Sequence, residues 1–374
     1  MTEPREISLQ FLVKFRSGQD YKHVDDPAGS VPVYGSGGIF ASASDYLYDG
    51  ESVLFGRKGT IDRPAYVCGK FWTVDTMFYT ELREGVSGRW LYYWATTIPF
   101  GLYSTDTALP SMTSSVLGRI KAPLVPHVQQ CAIADYLDRE IGEIDAMLAT
   151  LDELTETLRL RRAQAIQSAV SSSRSIGIGL MLDVKLGKML QTKPKSPTDR
   201  LQPYLRAAHI QPGGRLDLAI DTKEMYFSEY EAEALSLRAG DAVIVEGGAG
   251  FGRAAYLTED MPGWGFQNSI IRLRGASADT RYAVYALQAA LESGEIAMAC
   301  NAATFAHFTA EKVESFRIPY HGTDQHRRIA DHLDEVTGRI DAMVAKVDEL
   351  KALLVERRAA LITDVVTGRK KIPS

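Results

Sequence analysis

The sequence predicts an α/β (α+β) fold. Two mixed domains, related by a pseudo-two-fold repeat, are separated by two long helices that form an antiparallel coiled coil. Three observations carry this. Residues 123–166 match residues 319–362 at 21 of 44 positions without a gap, at a constant offset of 196. Both copies read as long helices, with no internal Pro and apolar residues at heptad spacing. The stretches between them are rich in Gly, aromatics and short β-type runs, and they echo each other distantly.

The elements follow in chain order. Residues 1–122 form the first mixed domain, with β-type runs such as Val31-Pro-Val-Tyr34 and Ser52-Val-Leu-Phe55 broken by glycine turns. Residues 123–174 carry the first helix. Its seam is Leu137, Ile141, Ile144, Leu148, Leu151 and Leu158, and Pro126 stands before its start. Residues 175–318 form the second mixed domain. Gly50-Glu-Ser-Val-Leu-Phe55 is echoed there by Gly240-Asp-Ala-Val-Ile-Val245, and Phe71-Trp-Thr-Val-Asp-Thr76 by Trp264-Gly-Phe-Gln-Asn-Ser269. Residues 319–374 carry the second helix, with Leu333, Thr337, Ile340, Val344, Val347 and Leu354 at the matching stations. Helices of about 40 residues, each about 60 Å long, fit poorly inside small domains, so they are expected to pair with each other. Domains that diverged while their helices stayed alike suggest variable readers on a common frame.

Composition narrows the class. The chain has 374 residues, 45% hydrophobic and 24% charged, as globular proteins do. Three scattered cysteines, Cys68, Cys131 and Cys300, argue against a disulfide scaffold and for a reducing compartment. No His/Cys cluster has metal-ligand spacing, so no metal is expected. The acidic start lacks the features of a signal peptide, and no apolar run is long enough to span a bilayer, so a cytoplasmic, prokaryotic location and no membrane partner are expected. The net charge of −5 argues weakly against nucleic acid, but −4 of it falls on residues 123–170, with 4 basic against 8 acidic groups. The two mixed domains are nearly neutral and need only collect their basic residues on one face. Gly247-Gly-Ala-Gly-Phe-Gly252 is a weak match to a nucleotide-binding loop, since turn residues and not a helix follow it. No catalytic triad, amino-methyltransferase motif or phosphate loop is present, so no catalytic residue is assigned.

With these residues in view, the chain resembles the DNA specificity subunits of type I restriction–modification systems. The resemblance rests on Val31-Pro-Val-Tyr-Gly-Ser-Gly-Gly-Ile39, Gly56-Arg-Lys-Gly59, Ile133-Ala-Asp-Tyr-Leu-Asp138, Tyr204-Leu-Arg-Ala-Ala-His-Ile210, Gly252-Arg253 and Ile329-Ala-Asp-His-Leu-Asp334, in their repeated order. It implies two target recognition domains, each reading one half of a split, asymmetric site in double-stranded DNA. It also implies spacer helices that bind two methyltransferase subunits, and endonuclease/translocase subunits that complete the complex. The chain itself would be non-catalytic and hold no cofactor. S-adenosylmethionine, ATP and Mg would belong to the partner subunits. The residues alone leave open a coiled-coil scaffold with two ligand- or peptide-binding domains and no DNA role.

Candidate DNA contacts are basic residues and glycine turns. In the first domain they are Lys14, Arg16, Lys22, Tyr34, Gly35, Ser36, Gly37, Arg57, Lys58 and Arg63. In the second they are Lys185, Lys188, Lys193, Lys195, Arg206, His209, Gly247, Gly248, Arg253 and His307. Cations suit phosphates, while Arg and His can also reach base edges. The remaining helix faces, with Asp135, Asp138, Asp145, Arg161 and Arg162, are candidate methyltransferase docking surfaces.

Overall fold

The computed structural model describes residues 5–104, 110–300 and 307–373. The chain divides into two compact units, residues 1–152 with 348–374, and residues 153–347. Each unit therefore holds one mixed domain together with part of each long helix. This differs from a simple alternation of domain and helix. Antiparallel pairing is the reason: the helical segments beside a domain come from both helices.

In the first unit the elements run β1 (Glu6–Ser8), β2 (Val13–Ser17), β3 (Val31–Gly35), β4 (Gly38–Ala43), β5 (Tyr48–Asp49), β6 (Ser52–Gly56), β7 (Ala65–Val67), β8 (Lys70–Thr73), β9 (Met77–Leu82), α1 (Gly88–Ala95), α2 (Ser114–Arg119) and β10 (Lys121–Pro123). Helix α3 (His127–Val170) follows. In the second unit they run β11 (Ser175–Gly177), β12 (Asp183–Leu186), β13 (Arg200–Leu205), β14 (Lys223–Phe227), α4 (Glu229–Ala234), β15 (Ala242–Val245), β16 (Ala254–Tyr256), β17 (Gly265–Phe266), β18 (Ile270–Arg274), α5 (Ser277–Glu292), α6 (Glu295–Ala299), α7 (Ala310–Ser315) and β19 (Arg317–Pro319), leading to α8 (Thr323–Val366).

The first sheet repeats strand for strand, and three of the four strands of the second recur. A four-stranded antiparallel sheet is ordered β2-β9-β6-β7 in one unit and β12-β18-β15-β16 in the other. A second sheet is ordered β4-β3-β8-β5 and β14-β13-β17. Its one parallel pairing recurs: Val33 faces Trp72, and Tyr204 faces Gly265. A two-stranded ribbon, β1-β10 or β11-β19, feeds each long helix. Gly18 and Gly187 mark equivalent crossings between the sheets. A Cβ on either would stand 2.1–2.2 Å from a carbonyl oxygen, of Val74 or of Gln267. Only glycine permits that approach.

The helices are antiparallel in both units. Asp145 pairs with Arg358 at 3.0 Å, and Asp152 with Lys351, in the first. Arg162 pairs with Asp341 at 2.9 Å in the second. The pairs Asp145–Arg358 and Asp341–Arg162 are images of each other at the 196-residue offset, so the antiparallel pairing is duplicated, once in each unit. Leu137, Ile141 and Ile144 are buried with Trp90, Leu91 and Leu354 in the first unit's core, and Leu148 and Leu151 pack on it. Leu333 is buried in the second unit's core with Tyr282 and Ile166. Val347 is buried, and Ile340 and Val344 are half-buried. Thr337, polar at a heptad station, is buried too. Its hydroxyl donates to Leu333 O at 2.7 Å and lies 3.2 Å from the Tyr285 hydroxyl, which explains a threonine where the first copy has Ile141.

Candidate nucleic-acid interface

In the first unit the turn after β6 is built by a glycine. A Cβ on Gly56 would meet Thr60 O at 2.3 Å, so the chain can double back here only without one. The Arg57 N–H donates to Thr76 O at 2.7 Å, and Arg57 O accepts from Met112 N at 2.9 Å. Gly59, at φ +83°, donates to Pro110 O at 3.1 Å. The turn is thus held on both sides by backbone, and its side chains are spare. The Arg57 guanidinium lies over the Phe78 ring at 5.8 Å and reaches Asp75 O at 3.3 Å. Lys58 is exposed and makes no side-chain hydrogen bond or ion pair among the described residues. The tip of the β3–β4 hairpin meets this turn, with the Ser36 hydroxyl beside Gly59. Gly35, Ser36, Gly37, Arg57 and Lys58 therefore form one patch, bordered by the exposed Ile39 and Phe40.

The second unit builds the same turn with other residues. The Glu246 N–H donates to Ser269 O at 2.9 Å, and Glu246 O accepts from Phe308 N at 2.8 Å. Phe308 and Met112 precede matching helix caps, Thr309 and Thr113, 196 residues apart. Hydrogen bonding thus makes Glu246 the counterpart of Arg57. The sequence echo set Val245 against Phe55, but the ladders set it against Gly56: Val245 faces Ile270 as Gly56 faces Met77. Gly247 lies opposite His307, whose ring occupies the place of a Cβ. Gly248 has φ +81° and only a short 3₁₀ turn follows it, not a nucleotide-binding helix. Ala207 O lies close to Gly250, so the end of β13 meets this loop as the β3 hairpin meets the first.

The glutamate is half-buried, and burial pushes its carboxyl above the usual range, opposed by the charge of His307. That carboxylate accepts no hydrogen bond from the described residues.

Other expected contacts are used internally. Lys14 and Arg16, on β2, share Glu81; Arg16 bonds it at 2.8 Å. Lys188 is a correction: its ammonium is nearly buried between Gln191, Tyr226 O and Glu231, over the Phe227 ring, and braces the start of α4. Arg206 is held by the Asp221 carbonyl and carboxylate. His209 is a second correction. It is fully buried, edge-on to Trp264, with Nδ1 accepting from Arg206 N at 3.2 Å, and burial lowers its pKa. Tyr34 packs edge-on to Phe71 at 6.2 Å and belongs to the core margin. Lys22, Arg63, Lys185, Lys193 and Lys195 are exposed, and Arg253 is half-buried. None of these six makes a side-chain hydrogen bond or ion pair among the described residues.

The faces expected to dock partners are also engaged. Arg89 on α1 grips Asp138 and, at 2.7 Å, Asp135, while the Tyr93 hydroxyl donates to Asp138 at 2.7 Å. In the second unit Arg281 on α5 grips Asp331 and, at 2.9 Å, Asp334, and Tyr285 donates to Asp334 at 2.7 Å. These are duplicated clamps that lock each mixed domain to its helix. The sequence signal was present: Arg-x-x-x-Tyr stands at 89–93 and 281–285, at an offset of 192 that a search at 196 passes over. Asp145 and Arg162 are helix–helix pairs, and Arg161 is exposed. His326 is fully buried. Among the described residues no group of His, Cys, Asp and Glu could hold a metal ion, and no helix is long and apolar enough to cross a membrane.

Comparison with known proteins agrees with this frame. The family described as Type I restriction modification DNA specificity domain matches residues 12–156 and 178–352, one stretch in each half of the duplication. A Haemophilus influenzae protein described as a type I restriction enzyme specificity subunit is 28% identical over 115 residues, 30% of either chain. The Escherichia coli EcoprrI specificity subunit is 24% identical over 144 residues, 37% of this chain and 36% of that one. The aligned stretches thus span about a third of these curated relatives. Among solved structures, one of a type I R-M system described by its complex assembly and conformational transition superposes with a TM-score of 0.72 at 15% identity, over 98% of both chains. The HsdS subunit from Thermoanaerobacter tengcongensis gives 0.50 at 14%, over 99% of this chain and 98% of that one. At such identities the likeness is one of fold. With the two-fold repeat, the duplicated clamps and a family match over both halves, the chain belongs to the type I restriction modification DNA specificity domain family.

Proposed function

We propose that this protein is the non-catalytic specificity subunit of a type I restriction–modification complex in the prokaryotic cytoplasm. Each unit reads one half of a bipartite, asymmetric site in double-stranded DNA. Two methyltransferase subunits and endonuclease/translocase subunits supply the chemistry, and S-adenosylmethionine, ATP and Mg bind to them. One observation carries the reading: a single backbone frame occurs twice, and its turns at the ends of β6 and β15 are fixed by the same backbone hydrogen bonds while their side chains differ. Two like frames with unlike turns suit a split site whose halves differ in sequence.

The test is made with the protein assembled with its methyltransferase partners. Methylated positions should fall within one split motif, and base changes in either half should abolish modification. Methylation or binding without sequence preference would overturn the proposal.

A further inference from the structure

The duplication separates residues that hold the frame from residues that do not. Some side chains that hold the frame keep their chemistry in both copies. Arg89 and Arg281, Tyr93 and Tyr285, Asp138 and Asp334 make the same bonds twice. At the turn after β6 and β15 the backbone bonds are kept and the side chain is inverted, from Arg57 to Glu246. The frame therefore keeps its backbone bonds with either side chain. A donor-only cation has been exchanged for an acceptor-only anion at one structural position.

Both groups are held for use. Arg57 is stiffened over Phe78, and among the described residues its side chain makes one hydrogen bond, to Asp75 O at 3.3 Å. Glu246 is half-buried, accepts no side-chain hydrogen bond from the described residues, and lies on a glycine loop that brings backbone close to whatever it faces. A poorly solvated carboxylate is costly until a donor reaches it. Phosphate cannot supply that donor, and a carboxylate beside phosphate is repelled. A base amino group can supply it: cytosine N4 in the major groove is the amino edge that suits a glutamate. Guanine O6 and N7 are the matching acceptors for an arginine.

We propose that Arg57 and Glu246 are structurally equivalent specificity-determining residues, Arg57 selecting a guanine in one half-site and Glu246 a cytosine in the other. This rests on the specificity-subunit reading above. It adds a rule: the two halves of the site are read by hydrogen-bonding groups of opposite polarity at one position of the repeated frame.

The complex with its methyltransferase partners is tested on duplexes carrying single base-pair changes throughout the recognised motif. Glu246→Gln should relax discrimination at one base pair of one half-site by about tenfold to a hundredfold and leave the other half unchanged. Arg57→Ala should do the same in the opposite half. Glu246→Arg should move the preferred base at the affected position from cytosine to guanine, a gain that a misfolded variant cannot produce. If the wild-type complex discriminates in both halves and these variants keep its full base profile, the inference falls and the specificity-subunit reading stands. A uniform loss on all duplexes, specific and non-specific alike, overturns the inference too. A wild-type complex without base preference overturns both.

Discussion

His326 shows how one residue carries the consequence of duplication. It stands where the first copy has Gln130, whose side chain accepts from Ser87 N and donates to Val125 O, each at 2.8 Å. His326 instead lies 2.6 Å from Asp279 through Nδ1, accepts from His321 N at Nε2, and stacks on Tyr282 at 4.0 Å with Tyr320 edge-on. A second ring proton would set an N–H against the His321 N–H. Burial lowers the His326 pKa, and Asp279 only partly opposes this. The folded state thus binds this proton less readily than the unfolded chain, whose histidine titrates near about 6.5. Stability then falls as the pH drops below that value, by at most about 1.4 kcal/mol per pH unit for one proton. His326→Gln, which restores the first copy's residue, should flatten the dependence of the urea midpoint between pH 7 and pH 5. An unchanged slope in the variant would contradict the assignment. His209, buried with a lowered pKa, adds a slope of the same sign that the variant keeps.

At the scale of elements, the clamps decide how firmly α1 and α5 sit on the long helices. Arg281 is one-quarter exposed and bonds two carboxylates, while Arg89 is more open. Removing a charged hydrogen-bonding partner costs about 1–3 kcal/mol when the groups left behind are shielded, and less when water and salt screen them. Arg281→Ala should therefore speed amide exchange in α5 and lower the second unit's stability by about 1–3 kcal/mol, and Arg89→Ala should act less on α1. Equal exchange in wild type and Arg281→Ala would show that the clamp is incidental. Both long helices were legible in the sequence, because a heptad stripe needs only local spacing. The repeated Arg-x-x-x-Tyr was legible too, but its partners were not, because Arg89 and Asp135 lie 46 residues apart and their pairing depends on where α1 docks.

For the whole molecule, the repeated frame makes the readers separable. Replacing residues 1–122 by the corresponding domain of another family member should change one half of the methylated motif and keep the other, as read by mapping methylated bases. A change in both halves would end the two-reader view. The near-neutral charge of each mixed domain also takes on a local meaning. Lys14, Arg16, Lys188 and Arg206 are bound to carboxylates of their own units, whereas Lys22, Lys58, Arg63, Lys185, Lys193 and Lys195 are exposed without such partners among the described residues. Counting charges along the sequence cannot separate these groups, since a cation's partner is set by packing. By itself the sequence determined the duplication, the two long helices, their seam and the family likeness, all of which rest on identities and periods read along the chain. Only the tertiary structure decided that His209 and Lys188 face inward and that Glu246 stands in the place of Arg57. The first depends on how turns pack against the sheets, and the second on strand register, where a shift of one residue sends a side chain to the opposite face.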